Sequence, residues 1–592
     1  MSQEKVGRTN GAAFEDQGPD GLIHRGFLRG VSRDPVTVGR RPVIGIANTW
    51  SELNPCNDGL RDLAVAVKEG VSEAGGTALE FPTISLAEAY IRPSSMYLRN
   101  LMSMDTEEMI TASPIDGVVL LGGCDKTLPA QLMGALSAGK PAIALAAGPR
   151  PLSEWKGSPM SVDELWPLID ERRAGRMDHA DWRRLESCLS CGAGTCNVMG
   201  TATTMAVVAE VMGMALPGSA LPAAASPRRM ELARETGRRA VDLAINGITP
   251  DQLITPVSLA NAFRAVCAVG GSTNALLHLQ AIAGRIGHRL KTAQLRRISR
   301  ETPLLADVKP SGSKFLHDFE NDGGVPALMR RLAPLLGKEE LDAKDGAGRS
   351  WRESIHVEAR TNDKSGDTIA STSPQPCLRT LDEPAGPPDN LVLLKGSLAP
   401  SGAILKRSAA TPALTKHTGR AVVFEGVEDL NNRINDPALD VEEDSVLVLR
   451  YAGPLGGPGM PEVGHLPIPL KLLEHGVTDM VRISDARMSG TATGTVVLHV
   501  APEAAVGGPL ALVHNGDRIR LDADNESLEL LVDAEELSVR RAALPQTVTS
   551  GRGYEGLYRK HVMQADAGCD FDILQASMPE AIVEAGLDER GV

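Results

Sequence analysis

The run Asp116-Gly-Val-Val-Leu-Leu-Gly-Gly-Cys-Asp-Lys constrains this chain more than any other segment. Its apolar, glycine-bounded half has the character of a strand buried on both faces, the kind found in parallel sheets. Cys124, Asp125 and Lys126 then fall just past the strand's carboxyl end, where open α/β sheets place their ligands. A soft thiolate, a hard carboxylate and an amine in one turn offer donors for two unlike metals. The flanking sequence repeats the rhythm: 42–47 and 142–146 read as strands, and 60–74 and 130–137 as helices. Residues 201–214 and 272–286 read as buried helices. Strand, helix, strand in this order predicts a parallel sheet with helices on its faces.

At 592 residues the chain is too long for one core, so at least two large domains are expected. The stretch 366–391 is dense in Pro, Gly, Ser and Asp and is the linker candidate. Beyond it, apolar runs at 421–424, 445–450, 480–483 and 495–500, and a hairpin pattern over 518–521 and 528–532, predict a β-rich barrel or sandwich. The expected architecture is therefore α/β: an N-terminal parallel-sheet domain over 1–385 and a C-terminal β-barrel over 386–592.

Charge and composition exclude several functions. A net charge of −14 and an aromatic content of 3% argue against a nucleic-acid partner. No apolar stretch approaches the roughly 20 residues of a membrane span, and the amino terminus carries no apolar signal core. Eight cysteines in a chain this long do not make a disulfide scaffold, so a reducing, cytoplasmic setting is expected, with any functional cysteine a ligand or nucleophile.

Three cysteines lie in glycine- or proline-marked loops: Cys56 in NPCN, Cys124 in GGCDK and Cys196 in CGAGTCNVMG. Cys188 and Cys191 form one CxxC pair, but a structural zinc site would need a second pair that the chain lacks. Carboxylates supply hard oxygen donors suited to magnesium: Glu88 in ISLAEAYIRPSS, Asp125 beside Cys124, and Glu462 at the end of GPLGGPGMPE. Taken singly, each cysteine reads as a small buried hydrophobe and each acid as a solvated surface group. Ser489, in the small-residue loop RISDARMSGTATG, lacks the GxSxG elbow of hydrolases, and there is no phosphate loop, no HExxH and no GxGxxG after a strand. His465 and His499 read as ordinary histidines.

Together, RPVIGIANTWSELNPCN, LLGGCDKTLPAQLMG, SCGAGTCNVMGTATTMA, AVGGSTNALLHLQAIAGR, GPLGGPGMPEVG and VRISDARMSGTATGTVVLHV resemble the dihydroxy-acid and sugar-acid dehydratases over nearly the whole chain. GTCNVMGTATTMA and RISDARMSGTA are similar to the pentonate branch, typified by L-arabinonate dehydratases, whereas the branched-chain amino-acid branch reads more like CGSCSGMFTANSM. The resemblance implies a hydro-lyase that converts an aldonate such as L-arabinonate, D-xylonate or D-gluconate to its 2-keto-3-deoxy acid. It implies a [2Fe-2S] cluster on Cys56, Cys124 and Cys196. It also implies Mg2+ on Glu88, Asp125, Glu462 and a carbamylated Lys126, with Ser489 as base. Family members are homodimers or homotetramers, and their C-terminal barrel resembles the swivelling domain of aconitase. The alternatives are a branched-chain or broad-specificity dihydroxy-acid dehydratase, a 6-phosphogluconate dehydratase with a [4Fe-4S] cluster, and, in another class, a thiol oxidoreductase using Cys188 and Cys191.

Overall fold

Four short runs, three of them buried throughout, build the first sheet. In the computed structural model, which describes residues 14, 16–31, 33, 41–356, 375–544 and 551–576, β1 (Val43–Asn48), β2 (Thr77–Pro82), β3 (Gly117–Gly122) and β4 (Ala142–Ala146) lie parallel in the order β2-β1-β3-β4. Every residue of β1, β3 and β4 is buried, while the edge strand β2 is half-exposed. Because successive side chains of a strand point to opposite faces, Ile44, Ile46, Val119 and Leu121 enter one core and Val43, Ala47, Val118 and Leu120 another.

The first of these cores is closed by α1 (Leu60–Glu73) and α6 (Pro227–Asn246). They cross closely at two glycines: a Cβ on Gly70 would sit 2.0 Å from the Arg234 carbonyl oxygen, and one on Gly237 2.3 Å from that of Val67. The second core takes in α3 (Thr127–Ala138), α5 (Thr201–Val211) and α7 (Pro256–Ala268). Two further helices, α2 (Arg99–Ala112) and α8 (Asn274–Gly284), carry partners of the chain's last segment, and α4 (Leu165–Arg173) lies at the edge of the site described below. The expected strands and helices of this half are all present, 142–146 with the expected ends and the others with ends shifted by a few residues. Helix 201–214 stops at Val211, before Gly213, whose φ of +83° leaves the helical region.

The second sheet has eight strands: β5 (Leu391–Leu394), β6 (Gly402–Lys406), β7 (Lys416–Glu425), β8 (Val446–Arg450), β9 (Arg482–Ser484), β10 (Val496–Ala501), β11 (Arg518–Asp522) and β12 (Ser527–Leu530), in the order β12-β11-β7-β8-β9-β10-β6-β5. Its centre, β7 to β10, is parallel and its flanks are antiparallel. The edges nearly meet. Lys395, just after β5, bridges Ser527 of β12, its N–H donating to the Glu526 carbonyl at 2.9 Å and its carbonyl accepting from Leu528 N–H at 3.0 Å. Near-closure removes most of the unpaired backbone that an open edge would expose. The expected hairpin is β11–β12.

Of the expected linker, 366–374 lies outside the described residues. The remainder runs over the first half, with Cys377 and Leu378 buried and Gly386–Pro388 paired to Pro303–Leu304. The last described segment also returns to the first half: Arg99 donates to the carbonyls of Gly568 and Cys569 at 2.8 and 2.9 Å, and Arg285 to Asp570 at 2.7 Å with both side chains fully buried.

Asp485, just after β9, ties two loops together by accepting from the backbone N–H groups of Ala452 and Ala504, each at 3.0 Å. Burial, with the Glu503 charge beside it, pushes its carboxyl from an ordinary 3.8 up to about 7. Between those values the folded chain holds a proton that the unfolded chain has released. The stability tied to this group is therefore present at acid pH and lost as pH rises from about 4 to about 7. Asp485→Asn should remove that slope, so the urea midpoint of the variant should improve relative to the parent on passing from about pH 5 to 8. Parallel midpoint profiles would show that Asp485 titrates normally.

Candidate active site

The turn between β3 and α3 is fixed by short-range bonds. Thr127 Oγ1 accepts from Gly123 N–H at 3.1 Å and donates to the Cys124 carbonyl at 2.9 Å, so Cys124, Asp125 and Lys126 are held at the head of α3. Asn57 joins this turn to the loop after β1, its Oδ1 accepting from Cys124 N–H at 3.1 Å and its Nδ2 donating to the Thr49 carbonyl at 3.0 Å. A Cβ on Gly123 would lie 2.7 Å from Asn57 Oδ1, so only glycine lets the NPCN loop come this close. The loop carrying Cys196 joins through Gly194 N–H, which donates to the Pro55 carbonyl at 3.2 Å.

These contacts gather three cysteines. The Cys56 thiol is pushed well up, first by its hydrogen bond with Cys124 and then by burial and the charges of Cys124 and Cys196. Burial, with Asp125 nearby, raises Cys196 to about 12. Arg150 Nη2 approaches Cys56 Sγ at 3.7 Å, and Glu88 N–H donates to Cys124 Sγ at 3.4 Å. Three thiols brought together in this way, with Cys56 and Cys196 both pushed up, suit a shared cationic centre that would stabilise their thiolates.

Beside them, carboxylate oxygens of Glu88, Asp125 and Glu462 lie within 4.8 Å of one another. Lys126 sits beneath, fully buried, its Nζ 2.9 Å from Glu88, 3.5 Å from Glu462 and 3.6 Å from Asp125. The three acids keep 15–23% of their side-chain surface exposed, so solvent reaches them. Although the ion pairs are short, Lys126 Nζ makes no well-directed hydrogen bond among the described residues. Burial alone would raise Glu88, but Lys126 and Arg487 outweigh it and hold the carboxyl down at about 2. At Asp125 and Glu462 burial wins and both shift upward. Hard oxygens this close repel one another and suit a small divalent cation.

Ser489 reaches the same place from the second sheet, in the loop between β9 and β10. Asn274 Nδ2 lies 3.2 Å from both Glu462 Oε1 and the Met488 carbonyl, which ties the serine loop to the acid cluster. Arg487 is fully buried and clamps two other loops to its own, donating to Glu462 Oε1 at 2.8 Å and the Met460 carbonyl at 2.8 Å in one and to Ser94 Oγ at 3.0 Å in the other.

All eight residues singled out in the sequence thus lie in one neighbourhood. Cys188, at the end of helix His179–Cys188, is half-buried and Cys191 is exposed. His465 Nε2 bonds the Thr493 carbonyl at 2.9 Å, and His499 Nε2 has no partner among the described residues. Arg487, Asn274 and Arg150 were not singled out. Arg487 and Asn274 sit inside quoted motifs and Arg150 follows the strand run 142–146, yet an Arg or Asn carries no local mark of burial, since such residues are mostly exposed.

Residues 41–354 match the N-terminal, and 376–569 the C-terminal, domain of the dihydroxy-acid/6-phosphogluconate dehydratases, and the chain belongs to that family. It is 47% identical over 569 residues to an L-arabonate dehydratase of Azospirillum brasilense, covering 95% of this chain and 96% of the relative. It is 46% identical over 552 residues to a 6-deoxy-6-sulfo-D-gluconate dehydratase of Pseudomonas putida, covering 92% of each. A dihydroxy-acid dehydratase of Ignicoccus hospitalis is 37% identical, with 89% of this chain and 94% of that one covered. The protein is thus a hydro-lyase. No helix among the described residues is long and apolar enough to cross a membrane.

Proposed function

We propose that this hydro-lyase dehydrates an aldonate, of the L-arabinonate, D-xylonate or D-gluconate type, to the 2-keto-3-deoxy acid. The observation that carries this is the junction of three converging cysteines with three carboxylates around a buried lysine. Identities of 46–47% with the sugar-acid dehydratases, against 37% with the dihydroxy-acid dehydratase above, favour a polyhydroxy acid over a branched-chain one.

Cys56, Cys124 and Cys196 would hold the [2Fe-2S] cluster, and Glu88, Asp125, Glu462 and a carbamylated Lys126 the Mg2+. When bound, these groups supply Lewis acidity, the cluster toward the departing 3-hydroxyl and the magnesium toward the substrate carboxylate and 2-hydroxyl. Loss of one proton from the Lys126 ammonium, then addition of CO2 to the neutral amine with loss of a second proton, would convert a cation that neutralises the acids into an oxygen donor that joins them. Ser489 takes the C2 proton. The C–H electron pair becomes the C2=C3 double bond, the 3-hydroxyl leaves with a proton as water, and the enol gains a proton at C3 on becoming the ketone. Nothing is oxidised or reduced.

We further place the chain in a reducing cytoplasm as a homodimer or homotetramer, divided near residue 385, with the nearly closed second sheet as a barrel of the aconitase swivelling type.

The direct test is an anaerobic assay of 2-keto acid formation from aldonic acids, 6-deoxy-6-sulfo-D-gluconate and 2,3-dihydroxyisovalerate. Preference for 2,3-dihydroxyisovalerate would transfer the protein to the branched-chain reaction. Ser489→Ala should retain metals and substrate binding, lose exchange of the C2 hydrogen with deuterated solvent, and slow turnover about 10²–10⁴-fold. A variant that keeps most of its turnover would remove the serine from the base role.

A further inference from the structure

Ser489 does not stand alone. Its Oγ lies 2.9 Å from Thr491 Oγ1, and Thr491 Oγ1 lies 2.8 Å from Trp166 Nε1 on α4. An indole N–H can only donate, so one lone pair of the Thr491 oxygen is committed to Trp166. The hydroxyl's proton is then free to point at Ser489. The backbone N–H of Thr491 also donates to Ser489 Oγ, at 3.3 Å. The Ser489 oxygen is thus offered two donors by one residue, the backbone N–H and, in the rotamer that points the Thr491 proton along the 2.9 Å contact, the hydroxyl.

Both ends of this chain are held. Thr491 is 8% exposed, and its methyl group faces Gly200 at the start of α5. The Trp166 ring packs on the His465 imidazole, centroids 5.3 Å apart, and His465 is itself anchored to the Thr493 carbonyl. Hydrogen bonds donated to the anionic form of a group favour that form, and donors fixed before the reaction need no reorganisation during it.

We propose that Thr491 and Trp166 are positioning residues that hold the Ser489 oxygen as a proton acceptor, the Trp166 indole orienting the Thr491 hydroxyl toward it. This rests on Ser489 being the base. Thr491→Val keeps the side chain's shape and removes the hydroxyl. In the cluster- and magnesium-loaded enzyme it should lower kcat and the rate of C2-hydrogen exchange about 10- to 100-fold with KM little changed, the loss of one hydrogen bond to a charged group. Thr491→Ser, which restores the hydroxyl, should recover most of both rates. Trp166→Phe should lower the same two rates by a smaller factor, because it removes only the orienting donor.

Wild-type exchange in Thr491→Val would overturn the proposal. So would equal losses in Thr491→Val and Thr491→Ser with a lowered Tm, because the contact would then be a strut between the two halves of the chain. If Thr491→Val does not fold, Trp166→Phe decides: normal exchange in that variant overturns the proposal, and slowed exchange at unchanged Tm supports it. Ser489→Ala separates the two levels. Retained exchange there removes the serine base and this proposal with it, whereas lost exchange there with normal exchange in Thr491→Val removes this proposal alone.

Discussion

Replacing Cys56, Cys124 or Cys196 by serine is expected to abolish the visible absorption of the anaerobically purified protein, while Cys188→Ser, Cys191→Ser and Cys267→Ser leave it largely intact. The first three thiols converge, Cys56 hydrogen-bonded to Cys124 and both close enough to Cys196 for their charges to interact. Serine keeps the size but offers a hard, weakly acidic hydroxyl that does not replace a thiolate on iron. The other three lie elsewhere. Cys267 is wholly buried inside α7, where burial pushes its thiol up to about 12, and Cys191 is exposed. Iron and sulfide analysis alongside the spectra checks the assignment. Wild-type iron in Cys196→Ser, or none in Cys191→Ser, would show that the wrong member of the CLSCGAGTC run had been chosen.

Lys126→Ala is expected to lose both turnover and magnesium affinity while retaining the iron–sulfur spectrum. The lysine is fully buried and lies within 3.6 Å of three carboxylates, with Arg487 the other cation in contact, at 2.8 Å from Glu462. Removing one partner from a buried charge cluster costs about 3–5 kcal/mol, because the remaining charges lose their compensation. As a free ammonium, Lys126 would repel a dication from the site it lines, whereas a carbamate would coordinate it. Magnesium content by elemental analysis, with electron density at Lys126 in crystals of the active enzyme, tests both halves. A free amine in the magnesium-loaded, active protein would overturn carbamylation, and unchanged magnesium affinity in Lys126→Ala would remove the residue from the site.

Much of the first sheet was legible because its signals are local. An apolar run such as 142–146 needs no distant information to read as a buried strand, and it is β4 without a shifted end. Helix 272–286 was overextended at both ends: Asn274–Gly284 is shorter because Gly287, at φ +65°, and the turn at 271–273 take the backbone out of the helix. In the second half the alternation announced strands but not their neighbours. The choice between barrel and sandwich turned on the bridge between Lys395 and Ser527, residues 132 positions apart in sequence.

The ligand candidates were legible for a different reason. Thiols and carboxylates in glycine- and proline-marked loops are conspicuous by chemistry, and the resemblance of their motifs to a family joined them before any contact was known. What the chain alone determined was therefore the set of elements and the set of candidate groups. What the tertiary structure decided was how the site is braced. Arg487 reaches Glu462, Met460 and Ser94, Asn274 bridges Glu462 to the serine loop, and Trp166 meets Thr491 across 325 positions. The physical reason is that periodicity and turn chemistry act over a few residues, whereas a buried polar side chain is defined by partners that packing brings to it from other elements.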